Sequence, residues 1–314
     1  MLDNNYSNLT SKKATEIEKN VNYLNKIIDI RTNNIIDENA LGFMAKAFVQ
    51  ATLPHSNPGD DVAVWVRKNG AYTLEVRAGR ILNQDTQKLE NIGLPYGSIP
   101  RILFAWMATE AKRTNSKKLI LGRSLTEFMH KLCLIASGGK NGSITRLKEQ
   151  SYRLFRSEFA LVQETKENGR REHELQVSSK RTLFWHQMEE FAGKESTVTL
   201  TDEFFKLITL KPVPIDLRIM QALQSSSLAL DIYFWLTYRT FYIKNESQEL
   251  RWELLRNQIG SDYKRIRDFR VKVRKIVDKI KLFWPELNVD FSAQDVIVLH
   301  RSMPMLLPKK ESKA

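Results

Sequence analysis

One cysteine, Cys133, stands in 314 residues. That excludes an internal disulfide and any metal site built from several cysteines, and its setting in FMHKLCLI predicts a packed helical position. The five histidines, His55, His130, His173, His186 and His300, are far apart. A rolling-circle nickase would need a His-x-His pair for its metal and a nucleophilic tyrosine, so that chemistry has no counterpart here. A phosphate-binding P-loop is missing too: Gly138-Gly139-Lys140 is followed by Asn141 rather than Ser or Thr, and Leu134 stands where the first glycine belongs. Carboxylates do not cluster as a two-metal nuclease requires. No apolar run approaches the roughly 20 residues of a membrane span, and the polar, Asn-rich start has no signal-peptide core. A soluble cytoplasmic protein without metal, cofactor or chemistry of its own is the expectation.

Acidic residues are also in short supply. Lys and Arg number 49 against 36 Asp and Glu, a formal charge of +13, and the sequence pI is about 9.6. Such a balance favours a polyanionic partner, nucleic acid or an anionic membrane surface. The first sixty residues are nearly neutral, so the excess lies downstream, in segments that also have core-forming periodicity. A membrane-surface helix would sooner be terminal and carry bulky exposed apolar residues, so no membrane partner is expected.

The strongest segment runs from Arg251 to Lys281, with eleven basic and four acidic residues. Ile266, Phe269, Val273, Ile276, Val277 and Ile280 recur at three- and four-residue steps and fall on one helical stripe. The other side is basic. Lys264, Arg265, Arg267, Arg270, Lys272, Arg274 and Lys275 stand where a duplex could lie. A solvated charged face is the plain alternative.

Along the chain, residues 1–36 read as a polar N-terminal helical segment, with weak periodicity through Ile17, Val21, Leu24 and Ile28. Residues 37–93 read as a helix stopping at Pro54, then a β-hairpin around Asn69-Gly70. From 94 to 211 comes a helix after Ser98, the strand-like KKLILG, a helix capped by Ser124 with Glu127 in capping-box position, a turn, a basic amphipathic helix and two strands. In that basic helix Leu147, Tyr152, Leu154 and Phe155 form the apolar side. The order is that of a winged helix-turn-helix unit.

The same order returns in residues 212–302. A helix from Ser227 to Ile243, a short polar-aromatic run at 248–252, the helix WELLRNQIG ended by Gly260, a long basic helix from Ser261-Asp262 and two strand-like runs about Ser292 follow one another. Phe104-Ala105-Trp106 and Tyr233-Phe234-Trp235 sit at equivalent points, a spacing near 130 residues that argues for an internal repeat. The expected fold is α+β and mainly helical: tandem winged helix-turn-helix domains after a small N-terminal helix and β-hairpin region, with residues 303–314 a disordered basic tail.

In such units the last helix enters the major groove, because its diameter matches the groove width. Candidate DNA-binding residues in the first unit are Lys140, Asn141, Ser143, Thr145, Arg146 and Arg153, with Arg170 and Arg171 at the wing tip. In the second they are the seven basic residues from Lys264 to Lys275 named above. The aromatics Trp106, Phe128, Phe155, Trp235, Phe241 and Phe269 fall on apolar faces, so core packing is favoured over base stacking. The helix 37–53 and hairpin 62–76 are apolar enough for a homodimer interface, and a small core explains them equally well.

Several long motifs carry a family resemblance. TLPHSNPGD, GLPYGSIPRILFAWMATEAKRT, LILGRSLTEFMHKL, GGKNGSITRLKEQSYRLFRS, TLTDEFF, PVPIDLR, SLALDIYFWLTYR and GSDYKRIRDFR resemble the plasmid-encoded RepA-type replication initiator family over about Pro54 to Leu299. The resemblance implies a protein that binds repeated double-stranded sites in a plasmid origin, promotes opening of adjacent DNA, and recruits host replication proteins such as the helicase and initiator. A winged-helix transcriptional regulator, autoregulatory or not, is the alternative on the residues alone. A DNA nuclease or recombinase is the more distant one.

Overall fold

Two apolar helices organise the core. In α3 (Ser98–Thr114) thirteen of seventeen residues are buried, and in α8 (Ser227–Tyr242) ten of sixteen, so neither presents a single wet face. The computed structural model describes residues 18, 21–32, 39–140, 142–165, 169–183, 194–243, 245–260 and 262–303. Around α3 and α8 the secondary structure is α+β. One continuous hydrophobic cluster runs from Ile27 to Leu299.

The first part begins with α1 (residues 21–32), β1 (Leu41–Met44), α2 (Lys46–Gln50), the hairpin β2 (Val64–Asn69) and β3 (Tyr72–Arg77), and the ribbon β4 (Arg80–Leu82) and β5 (Leu89–Asn91). A single helix was expected over 37–53, but Leu41–Met44 within it is a strand. Leu41 to Met44 pairs antiparallel with β11 (Val213–Asp216), and Phe43 N donates to Thr109 Oγ1 on α3 at 2.9 Å. A Cβ on Gly42 would stand 2.4 Å from Leu217 Cδ2, so this strand lies too close to its neighbour for any other residue without rearrangement. Helical propensity yields to a tertiary pairing. The β2–β3 hairpin turns on Gly70-Ala71, with Gly70 at φ +59°, one residue later than Asn69-Gly70 at its centre.

The expected stripe of α1 is the exposed one. Val21, Leu24 and Ile28 face solvent, while Ile27 and Ile30 are buried and Tyr23 packs edge-on to Phe283 at 5.5 Å. Ile17 lies outside the described residues.

After α3 come β6 (Lys118–Gly122), α4 (Leu125–Lys131), α5 (Ser143–Arg156), β7 (Glu158–Thr165) and β8 (Gly169–Gln176), the expected order. Ser124 Oγ accepts from Glu127 N at 3.1 Å, while the Glu127 carboxylate reaches back to Arg123 N at 2.8 Å, one residue before the cap. Cys133 is not a packed helical residue: it lies beyond α4, exposed, with φ +55°. The β7–β8 hairpin does not stand free. β7 pairs with β3, from Tyr72↔Gln163 to Arg77↔Glu158, giving a four-stranded sheet β2-β3-β7-β8 built from strands on both sides of residue 93. β6 pairs instead with β10 (Ser196–Leu200), whose other edge takes β9 (Ser178–Thr182).

Then follow α6 (Asp202–Thr209), β11, α7 (Leu217–Leu223) and α8, and after them β12 (Ser247–Arg251), α9 (Trp252–Ile259), α10 (Ile266–Phe283), β13 (Val289–Asp290) and β14 (Val296–His300). Here β14 lies between β12 and β13. Gly260 ends α9 at φ +69°, the left-handed conformation that favours glycine. α10 starts at Ile266 rather than at Ser261-Asp262, so Lys264 and Arg265 precede it.

Candidate nucleic-acid interface

The basic helix α10 is built as its sequence periodicity predicts. Phe269, Val273, Ile276, Val277 and Ile280 are buried, Ile266 is half-buried against the same cluster, and Phe283 closes the stripe. Eighteen residues make a rod of about 27 Å. Val271 is about half-exposed among the charges on the outer side.

The exposed cations differ in what holds them. Lys264, Arg267, Lys272 and Lys275 are exposed and make no ion pair among the described residues. Arg265 is tied to Asp268 at 3.1 Å, an exposed i,i+3 pair worth a few tenths of a kcal/mol. Two of the seven serve the fold. Arg270 is half-buried, with its guanidinium over the Trp252 ring and 3.4 Å from Asp295, and Arg274 donates to Phe291 O at 3.0 Å while covering the Phe291 ring. Both side chains hold the β13–β14 hairpin and Trp252 beside α10. Spacing alone could not separate these from the free ones, since all seven lie off the apolar stripe.

In the first unit the corrections are larger. Arg153 was expected on the DNA side of α5, but it is 7% exposed. Its guanidinium pairs with Asp60 at 2.9 Å and Glu149 at 2.7 Å, donates to Leu94 O, and lies 5.4 Å from the Tyr96 ring. Gly93 leaves it room, since a Cβ there would stand 2.2 Å from Arg153 Nη1. We expect Arg153→Ala to cost about 2 kcal/mol of stability, through lost pairs that are only partly screened. DNA affinity of the folded variant should stay within about twofold, because the side chain faces the core; a fall of tenfold or more in anisotropy titrations would contradict this placement.

Ser143 and Thr145 are also committed. Ser143 Oγ accepts from Ser137 N at 2.9 Å and donates to Ile135 O at 2.6 Å, while Thr145 Oγ1 donates to Gly139 O at 2.9 Å. These bonds hold the loop before α5. Lys140 and Arg146 are exposed, and Asn141 lies outside the described residues. Arg170 and Arg171 open β8 rather than filling a turn; Arg170 pairs with Glu172 at 3.1 Å, and Arg171 is exposed. Tyr152, expected on the apolar side of α5, is exposed under the Arg156 guanidinium at 4.8 Å. Phe241 is likewise exposed, whereas Trp106, Phe128, Phe155, Trp235 and Phe269 are core residues.

The approach to α10 is locked by a junction that the sequence motifs contain but spacing could not reveal. Arg101 on α3 meets Asp231 on α8 bidentately, both distances 2.7 Å, with both side chains 2% exposed. Arg101 also donates to the carbonyls of Leu53, Pro54 and Gly97. Next to it, His55 Nε2 lies 3.0 Å from Ile259 O, and Thr52 Oγ1 donates to the same carbonyl at 2.8 Å. A carbonyl only accepts, so Nε2 carries the proton and Nδ1 accepts from Ser227 Oγ at 3.0 Å. Ser56 Oγ reaches Asp262 at 2.9 Å, and Arg67 on β2 donates to Gly260 O at 3.2 Å. The α9–α10 turn is thereby gripped from residues 52–67.

Burial, followed by the Arg101 charge, lowers the His55 pKa below its ordinary 6.5, and these outweigh the opposing pull of Asp231 and Asp262. The imidazole is therefore neutral at pH 7, and its 3.7 Å approach to Asp231 is not an ion pair. A depressed folded-state pKa makes this contribution to stability complete above about 6.5 and progressively lost as pH falls below it, by at most about 1.4 kcal/mol per pH unit. Thermal unfolding from pH 7.5 to 5.5 should therefore show a steeper loss for the native chain than for His55→Gln. Parallel slopes would contradict the assignment.

Among the described residues there is no group of three or more His, Cys, Asp or Glu side chains placed to hold a metal, and no helix long and apolar enough to cross a membrane. No curated protein matches the chain. A family described as plasmid encoded RepA protein matches residues 94–254, from just before α3 into α9, leaving β1 to β5 and α10 outside the matched span. That span is just over half of the chain, and this protein belongs to the plasmid-encoded RepA replication proteins.

Proposed function

We propose that this protein initiates plasmid replication by binding repeated double-stranded sites in the origin through two winged-helix units, then promoting opening of the adjacent duplex and recruiting host replication proteins. The observation that carries the reading is α10: one face is held in the core, the other offers Arg267, Lys272 and Lys275 without an ion pair among the described residues, and a β-hairpin lies alongside. The order α8, β12, α9, α10, β13, β14, with β14 between its partners, supports a winged-helix unit there. The first unit has the same order of elements, with its hairpin built into a larger sheet and β10 beside β6. Arg146, Lys140 and Arg171 are its exposed cations for the duplex. Origin opening and host recruitment rest on family membership.

A plasmid deleted for this gene, with the gene supplied in trans, tests the reading. Replication restored only when the flanking origin DNA is present supports an initiator; repression of a promoter without rescue would favour a regulator. Supercoiled origin DNA incubated with the protein and Mg²⁺ should keep both strands uncut, and nicking would overturn the non-catalytic reading.

A further inference from the structure

Beyond α10, a polar cavity of about 470 Å³ opens where the C-terminal end of α5 meets β4 and β9. Arg77, Arg80, Arg156 and Arg181 line it, with Glu158 as its acidic residue. Arg77 is neutralised by Glu75 and Glu174. Arg80, Arg156 and Arg181 have no carboxylate within ion-pair distance among the described residues, and Glu158 already accepts from Gln176 Nε2 at 2.9 Å.

The fold brings Arg156 close enough to Arg181 for their charges to repel, and Arg156 Nη1 donates to Arg80 O at 3.5 Å. A Cβ on Gly79 would stand 2.6 Å from Arg156 O, so glycine lets β4 approach the end of α5. Arg181 Nη1 donates to Phe155 O at 2.6 Å and to Ser178 Oγ at 2.9 Å, and among the described residues Nε and Nη2 meet no acceptor. Desolvation, and then the charge of Arg156, lower the Arg181 pKa. Like charges brought together beside a cavity are stabilised when an oxyanion enters, and planar guanidinium groups match phosphate oxygens bidentately.

We propose that Arg80, Arg156 and Arg181 form a phosphate-binding pocket distinct from the α10 face. Its ligand is a phosphate group, carried either by the DNA backbone or by a soluble phosphate compound; only the DNA source depends on the function proposed above. Arg80 and Arg181 are about a hundred residues apart in sequence, and the pairing of β7 with β3 and the direct run of β8 into β9 bring their elements together.

The test uses the full chain and its Arg156→Gln and Arg181→Gln variants, checked for folding by circular dichroism, with Arg80→Gln as the variant least able to disturb packing. Inorganic phosphate and pyrophosphate are titrated calorimetrically against chloride at constant ionic strength, and a duplex of unrelated sequence is titrated over a range of salt. A soluble ligand predicts binding that each variant weakens at least tenfold. A backbone phosphate predicts that the slope of log affinity against log salt shrinks by about one per substitution. If folded variants bind both phosphate compounds as the native chain does, or none binds them, and the salt slope is unchanged, the pocket is not a phosphate site. Intact DNA binding in that case would leave the α10 reading standing.

Discussion

Arg101→Ala should lower the unfolding temperature by roughly 10 °C. The change leaves Asp231 charged in a site only 2% exposed and removes donors from the Leu53, Pro54 and Gly97 carbonyls. Breaking a buried pair from one side costs about 3–5 kcal/mol, and a chain of this size loses about 2–4 °C per kcal/mol. The cost comes from the stranded charge as much as from the lost attraction. Replacing both partners, Arg101→Met with Asp231→Leu, should therefore be less damaging than either single alanine variant, although the three carbonyls still lose their donor. Differential scanning calorimetry measures all of these directly. A drop below about 2 °C for Arg101→Ala would mean that the pair does not hold α3 to α8. The effect should extend to DNA binding, since the 52–56 loop that Arg101 anchors also grips Ile259 and Asp262 at the approach to α10.

The second large effect is on the basic face. Arg267→Glu combined with Lys275→Glu should reduce affinity for origin DNA at least a hundredfold at about 0.1 M salt, with unchanged folding. Each site turns an attraction to the phosphates into a repulsion, and each contact with the duplex contributes about 1–3 kcal/mol when it reads a base, or about one unit of salt slope when it meets a phosphate. Arg267 and Lys275 are chosen because both are exposed and make no ion pair among the described residues, whereas changing Arg274 would also release Phe291 O. Fluorescence anisotropy at several salt concentrations separates the two roles. Affinity within threefold of native would place the duplex elsewhere.

How far the chain could be read from its sequence depended on whether the deciding interaction was local. The stripe from Phe269 to Ile280 repeats with helical period, so the body of α10 was legible; its start at Ile266 was not, because the approach to it is held at Ile259, Gly260 and Asp262 by Thr52, Arg67 and Ser56 from far upstream. The end of α9 at Gly260 and a strand after Ser292 were legible from the sequence, whereas residues 248–252 read only as a short polar-aromatic run and form most of β12. Residues 41–44 misled because helix-compatible residues there answer to β11, about 170 residues away. Arg153 misled for a similar reason: a basic residue on an amphipathic helix reads as solvated unless its partners, Asp60 and Leu94, are known. Arg80 and Arg181 gave no signal at all. Their significance lies in the cavity, and only the folded sheet makes it.

If α10 lays its basic face in the major groove of repeated origin sites, the groove contacts should be visible on the DNA itself. Hydroxyl-radical footprinting of the full chain on the DNA flanking its gene tests this most directly, with the Arg267→Glu, Lys275→Glu variant as control. Protected patches should recur at each repeat, spaced by about one helical turn, and be lost in the variant while Arg153→Ala retains them. Uniform protection without repeats, or a footprint unchanged by the double substitution, would contradict it.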